Sequence, residues 1–331
     1  MTPLTVLPAR LAFSILSPGG PRSRLSILIF HRVLPQPDPI FPGEPHALSF
    51  DAMLGWLRQC CQVLPLDDAV RRLREGSLPA RAAAITFDDG YADNHDVAMP
   101  ILQRHGLSAT FFVATGFLDG GQMWNDSVSE AVRHCRLPVL DVAGLALPGS
   151  GPTRLELSGL AQRGQAIAML IDRIKYSNAE QRVALAAAVA ERAGVAQRGD
   201  LMMSSQQVCG LRRGGMLVGA HTHSHPILAK LTPDAAKAEI DHSKRLLENL
   251  LGERVGLFAY PNGVPGTDYL PASVDCVRGL GFDAAVSTSR GAAGPGGDVY
   301  QLPRFTPWDR SRARFCLRLA ANLRQTTQTV A

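Results

Sequence analysis

The chain has 331 residues, of which 46% are hydrophobic and 19% are charged, so its composition is that of a globular protein and excludes a disordered or fibrous one. Its formal net charge of +5 is too small over this length to indicate a nucleic-acid partner. The six cysteines form no CxxC pair, and we expect them to be free thiols. Composition leaves the function to be read from the motifs.

The N-terminal segment, residues 1–24, contains an apolar stretch over Leu4–Leu16 that Pro8 and Arg10 interrupt. This stretch matches a secretory signal poorly, because such a signal has a basic leader and an uninterrupted apolar core. No run of about 20 apolar residues occurs, so we expect no spanning helix. These features predict a cytoplasmic protein, and an interfacial helix over Leu4–Leu16 leaves peripheral membrane contact open.

From residue 25 onward, short apolar runs alternate with amphipathic segments at helical spacing. The predicted strands are Leu25–Phe30, Ala82–Phe87, Ala109–Ala114, Met216–Ala220, Val255–Tyr260 and Ala284–Ser287. The helices predicted between them are one that begins at an N-cap Ser49, then Asp67–Glu75, Ala98–His105 and Asp234–Leu251. This alternation predicts an α/β fold with a parallel sheet and crossover helices.

The pattern changes between about residues 121 and 205, which we interpret as a largely helical insertion into a domain spanning residues 25–310. Its predicted elements are a small hairpin within Leu137–Leu157 and helices over Leu160–Lys175 and Asn178–Ala193. The remaining residues, 311–331, are expected to form a basic amphipathic helix and a tail.

Two polar segments follow predicted strands: Asp88-Asp89-Gly90 after one strand, and the segment from His221 to His225 after another. In α/β sheets and barrels, the carboxyl ends of strands are where active sites assemble. Two adjacent carboxylates repel each other, so one of them requires a cation or a proton. A cation held by Asp89, His221 and His225 would keep a position open for water or substrate, which is the catalytic arrangement of zinc.

The residues Thr86–Gly90 and His221–His225 are similar to the first two signature motifs of the polysaccharide deacetylases, the NodB-homology proteins of carbohydrate esterase family four. Three further segments match a bacterial branch of that family: Ile29–Val33, Ala98–Gly116 and Phe258–Gly263. The resemblance covers residues 25–120 and 205–305.

This resemblance implies a distorted (β/α) barrel that holds one divalent metal, usually Zn²⁺, and hydrolyses N-acetyl groups on sugars of a polysaccharide, a glycan or a glycolipid precursor. By the same resemblance, Asp89, His221 and His225 are the metal ligands. Asp88 is the general base that takes a proton from metal-bound water as it attacks the acetamide. A backbone N–H near Tyr91 is expected to stabilise the oxyanion.

The sequence departs from the family pattern at two places. The third motif usually carries an Arg that orients the catalytic Asp, but Ala259 stands near that position, and Arg304 is the candidate replacement because Arg suits a carboxylate bidentately. The late Leu-x-His motif of the general acid is absent. His31, at the end of the first strand, is the candidate acid, with a hydrogen-bonded structural histidine as the alternative.

Aromatic rings beside polar groups suit stacking on sugars, although tryptophans are often simply packed in a core. The substrate-binding candidates are Tyr91, Trp124, Tyr260, Pro261, Asn262 and Trp308. His223, between the two histidine ligands, is expected to point away from the metal. Two other functions remain open: an amidohydrolase of small amides on the same barrel, and a catalytically weak glycan-binding protein that keeps the metal.

Overall fold

The computed structural model describes residues 7–325 and 327–331. The chain separates into two compact units. The first contains the described residues of Met1–Gln36, Glu44–Leu118 and Met203–Ala331. The second contains Pro37–Gly43 and Asp119–Met202.

Helices and strands alternate along much of the described chain, most regularly in the first unit. In chain order the strands are β1 Ser26–Phe30, β2 Gln62–Val63, β3 Ala82–Phe87, β4 Thr110–Val113, β5 Val139–Asp141, β6 Arg154–Glu156, β7 Leu217–Ala220, β8 Leu257–Ala259 and β9 Ala284–Val286. The helices are α1 Leu7–Leu16, α2 Ala47–Cys60, α3 Leu66–Glu75, α4 Met99–Arg104, α5 Trp124–His134, α6 Leu160–Lys175, α7 Ala179–Ala193, α8 Ser205–Arg213, α9 Pro233–Leu251, α10 Pro271–Gly279 and α11 Arg312–Asn322.

The sheet of the first unit is parallel throughout, with the order β1-β3-β4-β7-β8-β9 and β2 paired with the start of β3. All six residues of β3 are buried, as expected for a parallel strand covered on both faces. The segment Leu302–Phe305 links the two ends of the sheet, because Leu302 bridges Val286 of β9 and Phe305 bridges Leu28 of β1. The sheet therefore curls into the distorted (β/α) barrel that the family resemblance implied.

Stacked aromatic rings pack on the helix-covered face of the sheet, against Phe50 of α2, next to the carboxyl ends of the strands. Phe87 lies between Phe30 and Phe111, with ring centroids 5.2 and 4.7 Å apart, and all three side chains are fully buried. Truncating one such ring to Ala costs about 3–5 kcal/mol of stability. Because Phe30 and Phe87 are the last residues of β1 and β3, this packing fixes the positions of His31 and Asp88, which follow them.

The second unit has its own core and one antiparallel sheet, in which β5 pairs with β6. Buried residues of this core include Val128, Leu140, Leu155, Leu170 and Val189. The helix predicted over Leu160–Lys175 is confirmed. The next predicted helix is also confirmed, since Asn178 accepts a hydrogen bond from the Gln181 N–H as its N-cap.

Some predicted elements were wrong in detail. The N-cap of α2 is His46, and Ser49 occupies the third helical position, where its hydroxyl accepts from the His46 N–H and donates to the His46 carbonyl. The helix predicted over Ala98–His105 begins earlier, with a π-helical turn over Asn94–Ala98 that continues into α4. Helices α5, α8 and α10 were not predicted.

The N-terminal apolar stretch forms α1, which includes a buried Phe13 beside exposed Leu11 and Ile15 side chains. Residues 4–6 of that stretch lie outside the described part of the chain. Among the described helices, none combines the length and the apolar character that crossing a bilayer requires.

Candidate functional site

A left-handed turn at the end of β3 points two neighbouring carboxylates at different partners. Asp89 has a φ of +77° and Gly90 a φ of +94°, and the Gly90 N–H donates to the Asp88 carbonyl at 3.0 Å. A Cβ at Gly90 would lie 3.1 Å from a methyl group of Val113, so both the conformation and the space favour glycine. Both carboxylates are buried.

The loop after β7 is held by its own side chains. Thr222, with a φ of +63°, donates its hydroxyl proton to the His221 carbonyl at 2.5 Å and accepts from the His225 N–H at 3.2 Å. One carboxylate oxygen of Glu239, on α9, accepts the N–H groups of His223 and Ser224 at 3.0 and 2.8 Å. The other accepts the Ser224 hydroxyl at 2.7 Å. These bonds fix the backbone that carries His221 and His225.

Three potential metal ligands converge at the barrel mouth. The Nε2 atoms of His221 and His225 each lie 3.4 Å from Oδ1 of Asp89, and one ligand atom from each residue lies within 4.8 Å of the others. Nδ1 of His221 donates to the Ala259 carbonyl at 2.7 Å, which turns Nε2 toward Asp89. One carboxylate and two oriented imidazoles fit a divalent cation such as Zn²⁺.

The protonation of Asp89 and His225 agrees with a ligand role. Burial would lower the pKa of His221, but the charge of Asp88 and the hydrogen bond with Asp89 outweigh it and raise this pKa, so a bound cation would displace a proton there. Burial alone would raise the pKa of Asp89, but the hydrogen bond with His221 and the charge of His225 outweigh it and hold this pKa far below its usual value. Burial lowers the pKa of His225 to about 4, so its imidazole is neutral near pH 7. An ionised carboxylate and a neutral imidazole are the forms that bind metals.

His223 lies outside this group of ligands. Its Nδ1 is 3.1 Å from the Thr115 hydroxyl oxygen, and its ring packs edge-on against His242 with centroids 4.4 Å apart. A Cβ added at Gly116 would come within 2.8 Å of the His223 carbonyl oxygen, so this side of the loop is closely packed. The ring therefore faces Thr115 and His242.

Asp88 is held by Arg304 through two parallel hydrogen bonds of 2.7 Å, one to each carboxylate oxygen. The Arg304 Nε–H donates to the Ser287 carbonyl at 2.8 Å, and its guanidinium is fully buried. Burial would raise the pKa of Asp88, but the charges of Arg304, His221 and His31 outweigh it, so the pKa lies below its usual value. The segment that closes the barrel thus places Arg304 against Asp88.

His31 lies at the end of β1 and is exposed. The charge of His31 lowers the pKa of both Asp88 and Asp89. This effect is smaller than that of burial and of the nearer partners of each carboxylate. Its backbone carbonyl accepts from the Asn94 side-chain amide at 2.8 Å. An exposed imidazole therefore stands within electrostatic reach of both carboxylates.

The substrate-binding candidates differ in accessibility. The Tyr260 side chain is fully buried, stacked on Tyr269 at 4.0 Å and donating its hydroxyl to the Tyr300 carbonyl at 3.0 Å. This placement corrects the expectation that the Tyr260 side chain binds substrate. Pro261, beside it, is buried as well, whereas Asn262 is exposed.

The other aromatic candidates also lie in different surroundings. Tyr91 is buried with the Arg32 guanidinium 4.7 Å above its ring, so its backbone, not its ring, remains a candidate for substrate contact. Trp308 is 53% exposed. Trp124 belongs to the second unit, where Arg182 lies 5.8 Å from the centre of its ring.

Sequence reasoning missed two groups that orient the histidines: the Ala259 carbonyl and the Glu239 carboxylate. A backbone carbonyl carries no signal in the sequence. Glu239 lies 16 residues after His223 in an ordinary amphipathic helix, and nothing local distinguishes it from the other acidic residues of α9.

Comparison with known proteins identifies relatives of this chain. A family model described as polysaccharide deacetylase matches residues 75–135 and 179–284. YxkH of Bacillus subtilis (strain 168), designated a polysaccharide deacetylase, is 21% identical over 284 residues, which cover 85% of this chain and 71% of that protein.

Two solved structures share the fold. The Streptococcus pyogenes deacetylase PplD, in complex with acetate, superposes with a TM-score of 0.59 at 19% identity, over 90% of this chain and 99% of that one. IcaB from Ammonifex degensii gives a TM-score of 0.58 at 18% identity, over 93% and 99% of the two chains.

Proposed function

Because this chain belongs to the polysaccharide deacetylase family, whose members hydrolyse N-acetyl amide bonds, we propose that it deacetylates N-acetylated sugars of a polysaccharide or a glycan precursor. It is a hydrolase of carbon–nitrogen bonds other than peptide bonds. The proposal adds a divalent cation, Zn²⁺ by the donor set, held by Asp89, His221 and His225.

One observation carries this proposal: two consecutive carboxylates have different surroundings. Asp89 faces two imidazoles at 3.4 Å, whereas Asp88 is bound by Arg304 at 2.7 Å. The first arrangement suits a cation ligand, and the second suits a carboxylate that must stay ionised and correctly oriented. Sequence neighbours thereby take separate roles, which resolves the repulsion between their charges.

When bound, the cation supplies Lewis-acid activation of the acetamide carbonyl and lowers the pKa of the attacking water. Asp88 is the general base in this account. Its lowered pKa keeps it ionised near neutral pH, and each of its oxygens has a second lone pair after bonding to Arg304. Arg304 orients the carboxylate without competing for the proton, because a guanidinium stays charged.

His31 is the candidate general acid that protonates the leaving amine. His31 follows the last residue of β1, so it lies at the same edge of the barrel as Asp88 and His221. A positioned imidazole is a common general acid in enzymes. The Tyr91 backbone N–H is the candidate donor to the oxyanion, and exposed Asn262 and Trp308 are the candidate sugar contacts.

The proposal is tested by acetate release from N-acetylglucosamine oligomers of increasing length and from lipid-linked N-acetylated sugars. Protein stripped with a chelator and reloaded with Zn²⁺ is expected to release acetate, and the stripped protein is not. Absence of release from every substrate, with the cation bound, would overturn the deacetylase proposal and favour a glycan-binding role.

A further inference from the structure

Two cysteines on different helices have their sulfur atoms in contact. Cys60, the last residue of α2, and Cys316, in α11, lie 256 residues apart in the sequence, and their Sγ atoms are 3.3 Å apart. Both thiols are free, Cys60 is fully buried, and Cys316 is partly exposed. The two helices also pack through Trp56 and Phe315, whose ring centroids are 6.0 Å apart. This pairing is unrelated to the metal site.

The surroundings of the pair make its two sulfurs chemically unequal. The hydrogen bond with Cys60 and the charge of Arg312, one helical turn earlier on α11, lower the pKa of Cys316 to about 7. The same hydrogen bond, together with burial, raises the pKa of Cys60 above its usual value. Cys316 is thus partly exposed and the more readily ionised of the two thiols, and the thiolate is the reactive form of cysteine.

We propose that Cys60 and Cys316 form a thiol–disulfide exchange site that reacts with low-molecular-weight disulfides, such as oxidised glutathione, and ends as an intramolecular disulfide. The Cys316 thiolate attacks one sulfur of the small disulfide, forms a mixed disulfide and releases one small thiolate. Cys60 then loses its proton and attacks the Cys316 sulfur, which releases the second small thiolate. Two protein thiols are oxidised, and one small disulfide is reduced to two thiols.

The exposure of the two residues sets this order of attack. A small disulfide reaches the partly exposed Cys316, whereas Cys60 is fully buried and positioned only to resolve the mixed disulfide. The neighbouring Cys61 is also buried, and burial raises its pKa to about 12, so it is a poor nucleophile near neutral pH.

The resulting bond would tie α11 to the barrel. On α11, Phe315 packs against Phe305 with ring centroids 6.3 Å apart, and Arg318 donates to the Thr306 carbonyl at 3.0 Å. Those two partners follow directly after Arg304 in the segment that closes the barrel. A disulfide that closes so long a loop restricts the unfolded chain, and we expect it to raise the melting temperature of the first unit.

The test incubates the full chain with oxidised glutathione and maps its peptides by mass spectrometry under non-reducing conditions. We expect a Cys60–Cys316 cross-link in the wild type and in the matched control Cys61→Ser. Cys316→Ser is expected to form none, and Cys60→Ala is expected to stop at a glutathione adduct on Cys316. The melting temperature should rise on oxidation, fall back after a reducing agent, and stay unchanged in Cys316→Ser.

Three results would overturn the proposal. All six thiols could remain free, the glutathione adduct could persist on Cys316 in the wild type, or the cross-link could join Cys61 in place of Cys60. Should Cys60→Ala fail to fold, the wild-type peptide map and the Cys316→Ser comparison decide the matter, because Cys316 lies at a partly exposed position.

Discussion

Arg304 and Asp88, 216 residues apart in the sequence, are joined inside the barrel by two parallel hydrogen bonds of 2.7 Å. Both side chains are buried, and the segment that carries Arg304 is also the one that links β9 to β1. The segment that closes the barrel therefore also orients the proposed base. Removing one partner of such a buried pair leaves an uncompensated charge and costs about 3–5 kcal/mol.

Arg304→Lys should therefore impair the reaction more than it impairs the fold. A lysine keeps the positive charge but has no planar fork, so Asp88 loses its two-point contact. We expect kcat to fall at least about tenfold with little change in KM, because the proton acceptor is misaligned. Steady-state acetate release and a melting curve of the same sample measure the two effects.

The pH profile separates this orientation from a general loss of packing. Arg304 lowers the pKa of Asp88, so its replacement raises that pKa and protonates the base at higher pH. In Arg304→Met, which removes the charge, the acidic limb of the kcat/KM profile should shift to higher pH by about 1–3 pH units. Arg318→Met, at an arginine paired with Asp309, is the control and should leave this limb in place. An unchanged limb in Arg304→Met would contradict the role given to Arg304.

His31→Gln tests the proposed general acid. We expect acetate release from N-acetylated sugars to fall by about 100-fold, because the leaving amine must be protonated. Hydrolysis of 4-nitrophenyl acetate should fall much less, since that leaving group departs without a proton. The exposed His134, on α5, provides the control His134→Gln. Equal losses on both substrates would show that His31 does not act as the acid.

Glu239→Ala tests how the histidine loop is held. Because Glu239 accepts three hydrogen bonds from His223 and Ser224, its loss should loosen the backbone between His221 and His225. We expect the affinity for Zn²⁺ to fall by about 10-fold or more, with kcat largely restored at saturating cation. Competition with a chromogenic chelator measures the affinity.

Two further variants on α9 control for this effect. Glu239→Gln retains one acceptor oxygen and should bind the cation with intermediate affinity. Asp241→Asn removes a carboxylate of the same helix that pairs with exposed Arg245, and it should behave like the wild type. Cation affinity in Glu239→Ala equal to that of Asp241→Asn would show that the loop does not depend on Glu239.

The proposed ligands could be predicted from the sequence because short segments determine them. Strand β3 occupies Ala82–Phe87 as predicted. Its carboxyl end is easy to locate because the continuous apolar run stops at two consecutive aspartates. The same holds for β7, which ends at Ala220 just before His221. Once the strands are parallel, their carboxyl ends meet, and the carboxylate and the imidazoles come together.

Features that depend on distant segments could not be predicted in the same way. Tyr260 follows β8 at the barrel mouth, yet Tyr269 and Tyr300 turn it into the core, and neither contact has a local signal. Helix α8 has only Val208 and Leu211 as buried positions, which is too few to show a helical period. Arg304 could be named as a candidate, but its reach to Asp88 depends on how the barrel closes.

The ion pair between Asp38 and Arg133 makes the stability of the second unit depend on pH. Arg133 donates to both carboxylate oxygens of Asp38 at 3.1 and 2.7 Å, and the N–H groups of Ile40 and Phe41 donate to Oδ1. Burial raises the pKa of Asp38, but these bonds outweigh it, so the pKa lies below that of the unfolded chain. The stabilisation is therefore fully present above the unfolded pKa and is lost as pH falls through the folded pKa.

Asp38→Asn should accordingly lower the free energy of unfolding of the second unit at pH 7 by about 1–3 kcal/mol. The difference from wild type should shrink as the pH falls below about 4. Urea unfolding followed by Trp124 fluorescence, with the other two tryptophans replaced by Phe, reports on this unit. Asp200→Asn, at an exposed aspartate, is the control, and an Asp38→Asn difference that stayed constant down to pH 2 would contradict the linkage.

The division of labour between Asp88 and Asp89 is tested most directly by measuring bound cation and acetate release on the same samples of Asp88→Asn and Asp89→Asn. We predict that Asp88→Asn keeps about one cation per chain and loses at least about 100-fold in rate. Asp89→Asn should lose the cation together with the activity. Asp88→Asn that releases acetate at the wild-type rate, or Asp89→Asn that keeps its cation at full occupancy, would contradict the account.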